Sequence, residues 1–461
     1  MVFEQDDFET VIERRAHQTL LADRALATLR SLSAGADQRD TQCYSKVTKH
    51  DLPSGSASAN VAESRHKIGG VSAPTSRDDL GVYAHIPFCE RVCPYCDFAV
   101  LGVRRLEPER ERRYVDLLLR ELELLWERHC PDLERRPLAT VYLGGGTPSL
   151  LHPSSVERLL RYVEERFGGS PQEVTLELNP GSLETERVGG FRAAGVTRLS
   201  VGLQSLHDRT LKRLGRAQQA GEALRGLEAC LAADFDSLSV DLIYGAPEQT
   251  EAELFGDLER VIALGVPHVS AYGLTIEPDT PFARARERGL LRLPDEDTEL
   301  RMSLGLRARL AAAGFEQYEI SSFARPGHRS RHNQRYWACR DVLGLGVSAA
   351  SLLAGQRFQN TRDLDEWEAA VSAGRSPVFE CQQVSAEEER RDFVGLGFRC
   401  IDGIRRSEFL RRFGAPLEAF FESELRELRE LDLVSDGGGS VRLTERGIRF
   451  ADEVFQRFVG R

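Results

Sequence analysis

A chain of 461 residues, 41% hydrophobic and 29% charged, has room for two domains or three and the balance of a globular protein. Its net charge of −11 argues against nucleic acid as the main partner, because phosphate binding needs clustered cations, but it leaves room for a local basic pocket holding a carboxylate-bearing ligand. No apolar run reaches the ~18 residues of a membrane-spanning helix, and the acidic start Met1-Val2-Phe3-Glu4 lacks a signal-peptide core, so a cytoplasmic chain with reduced cysteines is expected.

Residues 1–32 place Phe8, Val11, Ile12, Leu26 and Leu29 at helical spacing, and residues 33–80 are rich in Ser, Ala, Gly, Asp and Thr. The first stretch reads as a helix and the second as a disordered linker, together an extension outside the core. It is either a solvated appendage or a helix that docks a partner.

The first strand, 82–86, runs straight into the stretch that organises the chain: Cys89, Cys93 and Cys96, three of nine cysteines within eight residues, spaced C-x3-C-x2-C. Thiolates so crowded gain most by sharing a metal. No fourth cysteine follows before Cys130; Asp97 and Phe98 come next. Three thiolates on a [4Fe–4S] cluster leave one iron open, which can chelate the amino and carboxylate groups of S-adenosylmethionine (SAM) and then pass it the electron that splits its sulfonium C–S bond. The competing expectation is a zinc site with His85 as fourth ligand.

Beyond this loop, β-type runs at 139–144, 173–178, 198–203, 238–244 and 268–276 alternate with helical patterns at 108–128, 153–167, 184–194, 218–232, 250–264 and 295–313, before a further short run at 316–321. Repeated βα units imply a parallel sheet with right-handed crossovers, hence an α/β fold with a partial or full TIM-type (β/α) barrel, or else a doubly wound sheet. In either, ligands lie at the C-terminal ends of the strands, where the cysteine loop falls. Gly144, Gly145, Gly146 and Thr147 end the second strand, in a turn able to bring backbone close to a ligand. Glu177, Gln204 and Asp241 are polar residues set in apolar strands, where burial without a partner is costly. They read as contacts to a polar ligand or as a satisfied barrel network, and Arg216 as a rim contact or a solvated helix end.

Residues 321–360 read as irregular, rich in Arg, His, Gly and aromatics. From about 361 a helical pattern sets in, with Trp367, Phe393, Phe398, Phe409, Phe413 and Leu428 as core, then strands at 432–435 and 440–443 and a last helix at 444–458. The expected division is an extension 1–80, a barrel 81–325, a connecting region 326–380 and a C-terminal, mostly helical, winged-helix-like unit 381–461; that look does not imply DNA binding.

The motifs Tyr83-x-His85-Ile86-Pro87-Phe88-Cys89, Gly144-Gly145-Gly146-Thr147-Pro148, Glu177-Leu178-Asn179-Pro180-Gly181 and Asp241-Leu242-Ile243-Tyr244-Gly245, in this order, resemble the radical SAM family of oxygen-independent coproporphyrinogen III oxidases and, within it, the heme chaperone branch called HemW. The likeness spans roughly 82–455. It implies that Cys89, Cys93 and Cys96 hold the cluster and that Tyr83, Tyr95, Gly145, Gly146, Thr147, Glu177, Gln204, Arg216 and Asp241 contact SAM. The oxidases resemble C-x3-C-x2-C-x-C, and this chain has Phe98 at the last position. His332-Asn333-x-x-Tyr336-Trp337 matches a motif that the chaperone branch associates with heme, with His332, Tyr336 and Trp337 as candidate contacts. The resemblance therefore implies heme or a porphyrin as ligand, acceptor hemoproteins and an electron donor as partners, and leaves propionate decarboxylation as the alternative activity.

Overall fold

The computed structural model describes residues 79–458 other than 130–132, 134 and 135. The helix expected in 1–32 and nearly all of the linker lie outside the described residues. Six parallel strands follow one another in space as in sequence: β1 (Leu80–Ile86), β2 (Leu138–Gly145), β3 (Glu173–Leu178), β4 (Arg198–Gln204), β5 (Ser237–Tyr244) and β6 (His268–Gly273). Their apolar runs do not alternate with polar residues because both faces are covered: Val82, Ile86, Leu143, Leu176, Val201 and Val240 are all buried.

Between the strands lie α1 (Pro108–His129), α2 (Pro153–Phe167), α3 (Ser182–Ala193), α4 (Ala220–Ala232) and α5 (Glu251–Ala263), with α6 (Glu296–Ala312) after β6. Local chemistry sets their ends. Thr250 and Glu253 form a reciprocal capping box at the start of α5, and α2 stops at Gly168, whose φ of 70° suits a residue without a Cβ.

After β6 the chain departs from the expected pattern. The run at 316–321 yields only β7 (Glu316–Gln317), followed by β8 (Ser322–Ala324) antiparallel to β6. Residues 321–360, read as irregular, hold besides β8 the helix α7 (Arg331–Trp337) and three further strands: β9 (Val342–Leu345), β10 (Ala350–Leu353) and β11 (Gln356–Asn360). A fourth, β12 (Val378–Gln383), completes an antiparallel meander. β9 pairs in parallel with β1, Gly81 opposite Val342 and Ala84 opposite Leu345. The 12-stranded sheet therefore runs β12-β11-β10-β9-β1-β2-β3-β4-β5-β6-β8-β7. It has two ends, so the partial barrel is the form adopted.

The C-terminal part follows the helix–strand–helix–helix–strand–strand order of a winged helix: α8 (Ala386–Gly397), β13 (Ile404–Arg405), α9 (Arg406–Phe413), α10 (Glu418–Glu430), β14 (Val434–Gly437) and β15 (Ser440–Leu443). The last helical pattern divides into Glu445–Arg449 and Ala451–Gln456. Phe393, Phe398, Phe409, Leu428 and Phe458 form its own core, which Phe413 flanks, whereas Trp367 belongs to the barrel core. Arg399 binds Glu319 at 3.1 Å with both side chains buried, and Arg412 donates to the carbonyls of Ala338 and Cys339, so this unit is clamped to the sheet.

One buried acid ties α1 to the segment beyond β9. Glu121, fully buried, accepts from the Gly346 amide at 2.7 Å, Asn360 Nδ2 at 2.5 Å and Trp367 Nε1 at 3.1 Å. Burial pushes its carboxyl up to about 7. Glu121→Ala strands three buried donors and is expected to cost ~2–4 kcal/mol, seen as a lowered unfolding midpoint. An unchanged midpoint would show that the three donors find other partners.

Candidate functional site

The cysteine loop leaves the end of β1. Phe88–Cys89 pairs in parallel with Leu101–Gly102, and the Leu101 and Val103 amides donate to Pro87 and Cys89 carbonyls at 2.7 Å, so the loop closes on itself. The Cys96 amide turns back to the Cys93 carbonyl at 3.1 Å. All three thiols are free and partly buried. Burial pushes Cys89 up to about 11 and Cys96 up to about 12. Thiols so placed stay protonated until a metal binds the sulfur and displaces the proton. Two donors face the sulfurs: the Thr147 hydroxyl at 3.7 Å from Cys89 and Arg216 Nη1 at 3.7 Å from Cys93. Both suit thiolates carrying cluster charge.

His85 does not suit the zinc alternative. Its ring is 5% exposed, with Nδ1 on the Tyr83 hydroxyl at 3.0 Å and Nε2 on the Ala99 carbonyl at 2.9 Å. Among the described residues, no three His, Cys, Asp or Glu side chains converge as ligands of a single ion would. The fit to a cluster rests on the donors themselves: three thiols on one loop, one for each of three irons.

The glycine turn after β2 serves the protein before any ligand. The Gly146 and Thr147 amides donate to the Ile86 and Phe88 carbonyls at 2.8 and 2.7 Å, and the Gly145 amide donates to Glu177 Oε2 at 3.0 Å. These three N–H groups are thus committed within the protein; what the turn can still offer a ligand is its carbonyls. Glycine is needed because the neighbours are so close. A Cβ on Gly146 would sit 2.7 Å from the Phe88 carbonyl oxygen, and Gly145 holds φ 110° with the His85 ring where its Cβ would go.

Around this turn the strand ends bring most of the expected residues together. Glu177 accepts from the Tyr142 hydroxyl at 2.7 Å as well as from Gly145, and burial raises its carboxyl to about 7. Asp241, one strand beyond Gln204, accepts from the Ser200 hydroxyl at 3.0 Å. Burial raises its pKa although Ser270 and Ser239 also face it, and its Oδ1 is buried without a partner of hydrogen-bonding geometry. An orphaned carboxylate oxygen inside a barrel mouth is the kind of group a polar ligand completes.

Arg216 reaches Asn179 Oδ1 and the Gly202 carbonyl (2.9 Å), so it is a rim residue and not a solvated helix end. Asn179 Nδ2 in turn donates to Thr147 Oγ1 at 2.8 Å. A chain of contacts therefore runs from Cys93 through Arg216, Asn179 and Thr147 to Cys89. Sequence reasoning missed Asn179 and Tyr142. Asn179 stands two places after Glu177, so the outward alternation of a strand was the available signal.

Gln204 ends β4 with φ 65°, and a Cβ on nearby Gly202 would crowd the rim, meeting Asn179 Oδ1 at 3.0 Å and Gln204 Nε2 at 3.3 Å. Tyr95 packs against Phe282 with ring centroids 6.1 Å apart, near Cys93 and Arg216, and burial raises its hydroxyl well above the usual range. Tyr83 is spent mainly on holding His85. A cavity of about 1020 Å³ opens beside Cys93, bounded on one side by Thr147, Asn179 and Arg216.

The 332–337 segment lies differently from the expectation. His332 is fully buried, its Nδ1 on the Thr140 hydroxyl at 2.9 Å and its Nε2 on the Tyr336 hydroxyl at 3.0 Å, against the ring of Tyr142. Burial, aided by Arg335, pushes it down to about 3. As placed it has no ring nitrogen free for iron. Trp337 is 3% exposed beneath the Arg399 guanidinium, so it offers no ring face to a macrocycle. His332 packs α7 onto β2 and Trp337 lies against the C-terminal unit, so of the three motif side chains only Tyr336 remains partly exposed.

Comparison with known proteins matches residues 83–261 to the radical SAM superfamily and residues 384–450 to the HemN C-terminal domain. Heme chaperone HemW of Bacillus subtilis is 31% identical across 82% of this chain and 98% of its own length. That of Escherichia coli is 33% identical with the same coverage, and that of Mycobacterium tuberculosis 35% identical over 84% and 97%. The chain belongs to the HemW family. The crystal structure of Escherichia coli coproporphyrinogen III oxidase, HemN, superposes with a TM-score of 0.71 over 83% of this chain and 91% of the other at 24% identity, and so shares the fold. The HemW relatives align along nearly their whole length, so barrel and C-terminal unit belong to one family architecture. In this member the position two after Cys96 carries Phe98, 37% exposed at the edge of the loop. No helix among the described residues is long and apolar enough to cross a membrane.

Proposed function

We propose that this chain holds a [4Fe–4S] cluster on Cys89, Cys93 and Cys96, binds SAM on the adjoining rim, and binds heme and passes it to acceptor hemoproteins. The observation that carries the last part is the near-full-length similarity to heme chaperones. The three thiols with their facing donors, the orphaned Asp241 Oδ1 and the raised Glu177 support the first two parts. A cluster with one open iron supplies an electron for SAM cleavage when reduced by a donor. The chain's own residues do the rest. Thr147 and Arg216 steady the thiolates, Asn179 links them, and Glu177 and Asp241 present carboxylate oxygens to a cationic ligand group.

The second reading, decarboxylation of coproporphyrinogen III propionates to vinyls, draws on the shared fold and the intact rim. Phe98, where the oxidases resemble a fourth cysteine, favours the carrier. The test is anaerobic incubation of reconstituted protein with coproporphyrinogen III, SAM and reductant, beside a heme titration. Heme binding with no detectable protoporphyrinogen is expected. Robust product formation with matching SAM consumption would overturn the carrier reading.

A further inference from the structure

The cavity beside Cys93 is basic in an acidic protein. Seven arginines and three glutamates line it, while the whole chain carries a net charge of −11. Three of the arginines are engaged: Arg158 with Asp116, Arg187 with the Leu150 carbonyl, and Arg216 in the cluster rim. Arg91, Arg104, Arg105 and Arg112 have no hydrogen bond or ion pair with any described residue. Four unpaired guanidinium groups facing one concavity repel each other and gain by sharing an anion. Arg91 lies inside the cysteine loop, Arg104 and Arg105 just after it, and Arg112 on α1, so the charge gathers where the loop meets the barrel wall.

The lining is not uniformly polar. Val103, Leu106 and Leu150 are only partly buried and also line the cavity. A lining that combines apolar side chains with unpaired guanidinium groups fits a flat hydrophobic body carrying carboxylates. The concavity, about 1020 Å³, lies at the upper end of the roughly 300–1,000 Å³ typical of small-molecule sites, and protein partners meet on broader, flatter surfaces.

Resting on the heme-binding reading above, we infer that this cavity is the heme seat: the propionates pair with Arg91, Arg104, Arg105 and Arg112, and the macrocycle lies on Val103, Leu106 and Leu150 beside the cluster loop. Arginine forks bind carboxylates bidentately, so two propionates can occupy several of them at once. The seat is distinct from the 332–337 segment, whose histidine and tryptophan are buried in packing. It also places the ligand on the open side of the barrel mouth, from which it can leave to an acceptor.

The experiment titrates heme, and separately heme dimethyl ester, into the full-length reconstituted protein and into an Arg104→Glu/Arg105→Glu double variant. Both arginines are exposed and unpaired among the described residues, so cluster absorbance and circular dichroism should match the parent. The variant is expected to bind heme at least about tenfold more weakly, and the ester, lacking carboxylates, should bind the parent weakly and be insensitive to the substitutions. A variant that binds heme as the parent does overturns the seat and leaves the carrier reading standing, including the case in which it loses only reduction by a protein electron donor. A parent that binds no heme overturns both.

Discussion

Replacing any one of Cys89, Cys93 and Cys96 by Ser should take anaerobically reconstituted protein from about four irons per chain to almost none, with loss of the iron–sulfur absorption. The serine hydroxyl is isosteric but far too weak an acid to replace a thiolate ligand at neutral pH. The loop offers no substitute, since His85 is locked between Tyr83 and Ala99. The other described cysteines lie elsewhere. Cys230 and Cys339 are buried among hydrophobic side chains, and burial raises Cys339 and Cys400 to about 12. Serine at Cys230, Cys339, Cys381 or Cys400 should leave iron content unchanged. Iron analysis and visible absorption decide the matter, and stoichiometric zinc without an iron–sulfur band would refute the cluster assignment.

The second large effect concerns SAM. Glu177→Ala and Asp241→Ala should each weaken SAM binding by roughly 10- to 150-fold, the equivalent of ~1.5–3 kcal/mol for a lost hydrogen bond to a charged group. Cluster content should hold, because both residues reach the site from strands other than the one that feeds the cysteine loop. Glu177 adds a pH signature. Its carboxyl is raised to about 7, so it is mostly neutral at pH 6 and mostly ionised at pH 8. The N–H groups of an iron-bound amine hydrogen-bond best to the ionised carboxylate, so affinity should rise by up to about tenfold from pH 6 to pH 8. Glu177→Gln should flatten that rise. Titration of SAM into the reconstituted protein at both pH values measures this, and parent-like binding by both alanine variants would place the pocket elsewhere.

The cluster motif, the β1–β6 alternation and the rim residues Glu177, Gln204 and Asp241 could be read from the chain because each depends on neighbours within a few positions. A thiol spacing, a helix period or a lone acid in an apolar strand carries its meaning locally. The cap of α5 and the stop of α2 at Gly168 are equally local. What could not be read depends on partners far along the chain. β9 is four buried residues with no alternation, Val342–Leu345, and becomes a strand only because β1 is free on that side. Arg216 looks like a helix-end charge until the fold sets it against Cys93, 123 positions away. Glu121 looks like a surface acid of α1 until Gly346, Asn360 and Trp367 close over it. His332, the motif residue most open to a ligand role, is committed by Thr140 on one side and Tyr336 on the other, and Thr140 lies 192 residues before it. Burial is a property of the assembled layers, and it decides which polar residues are left with an atom to offer.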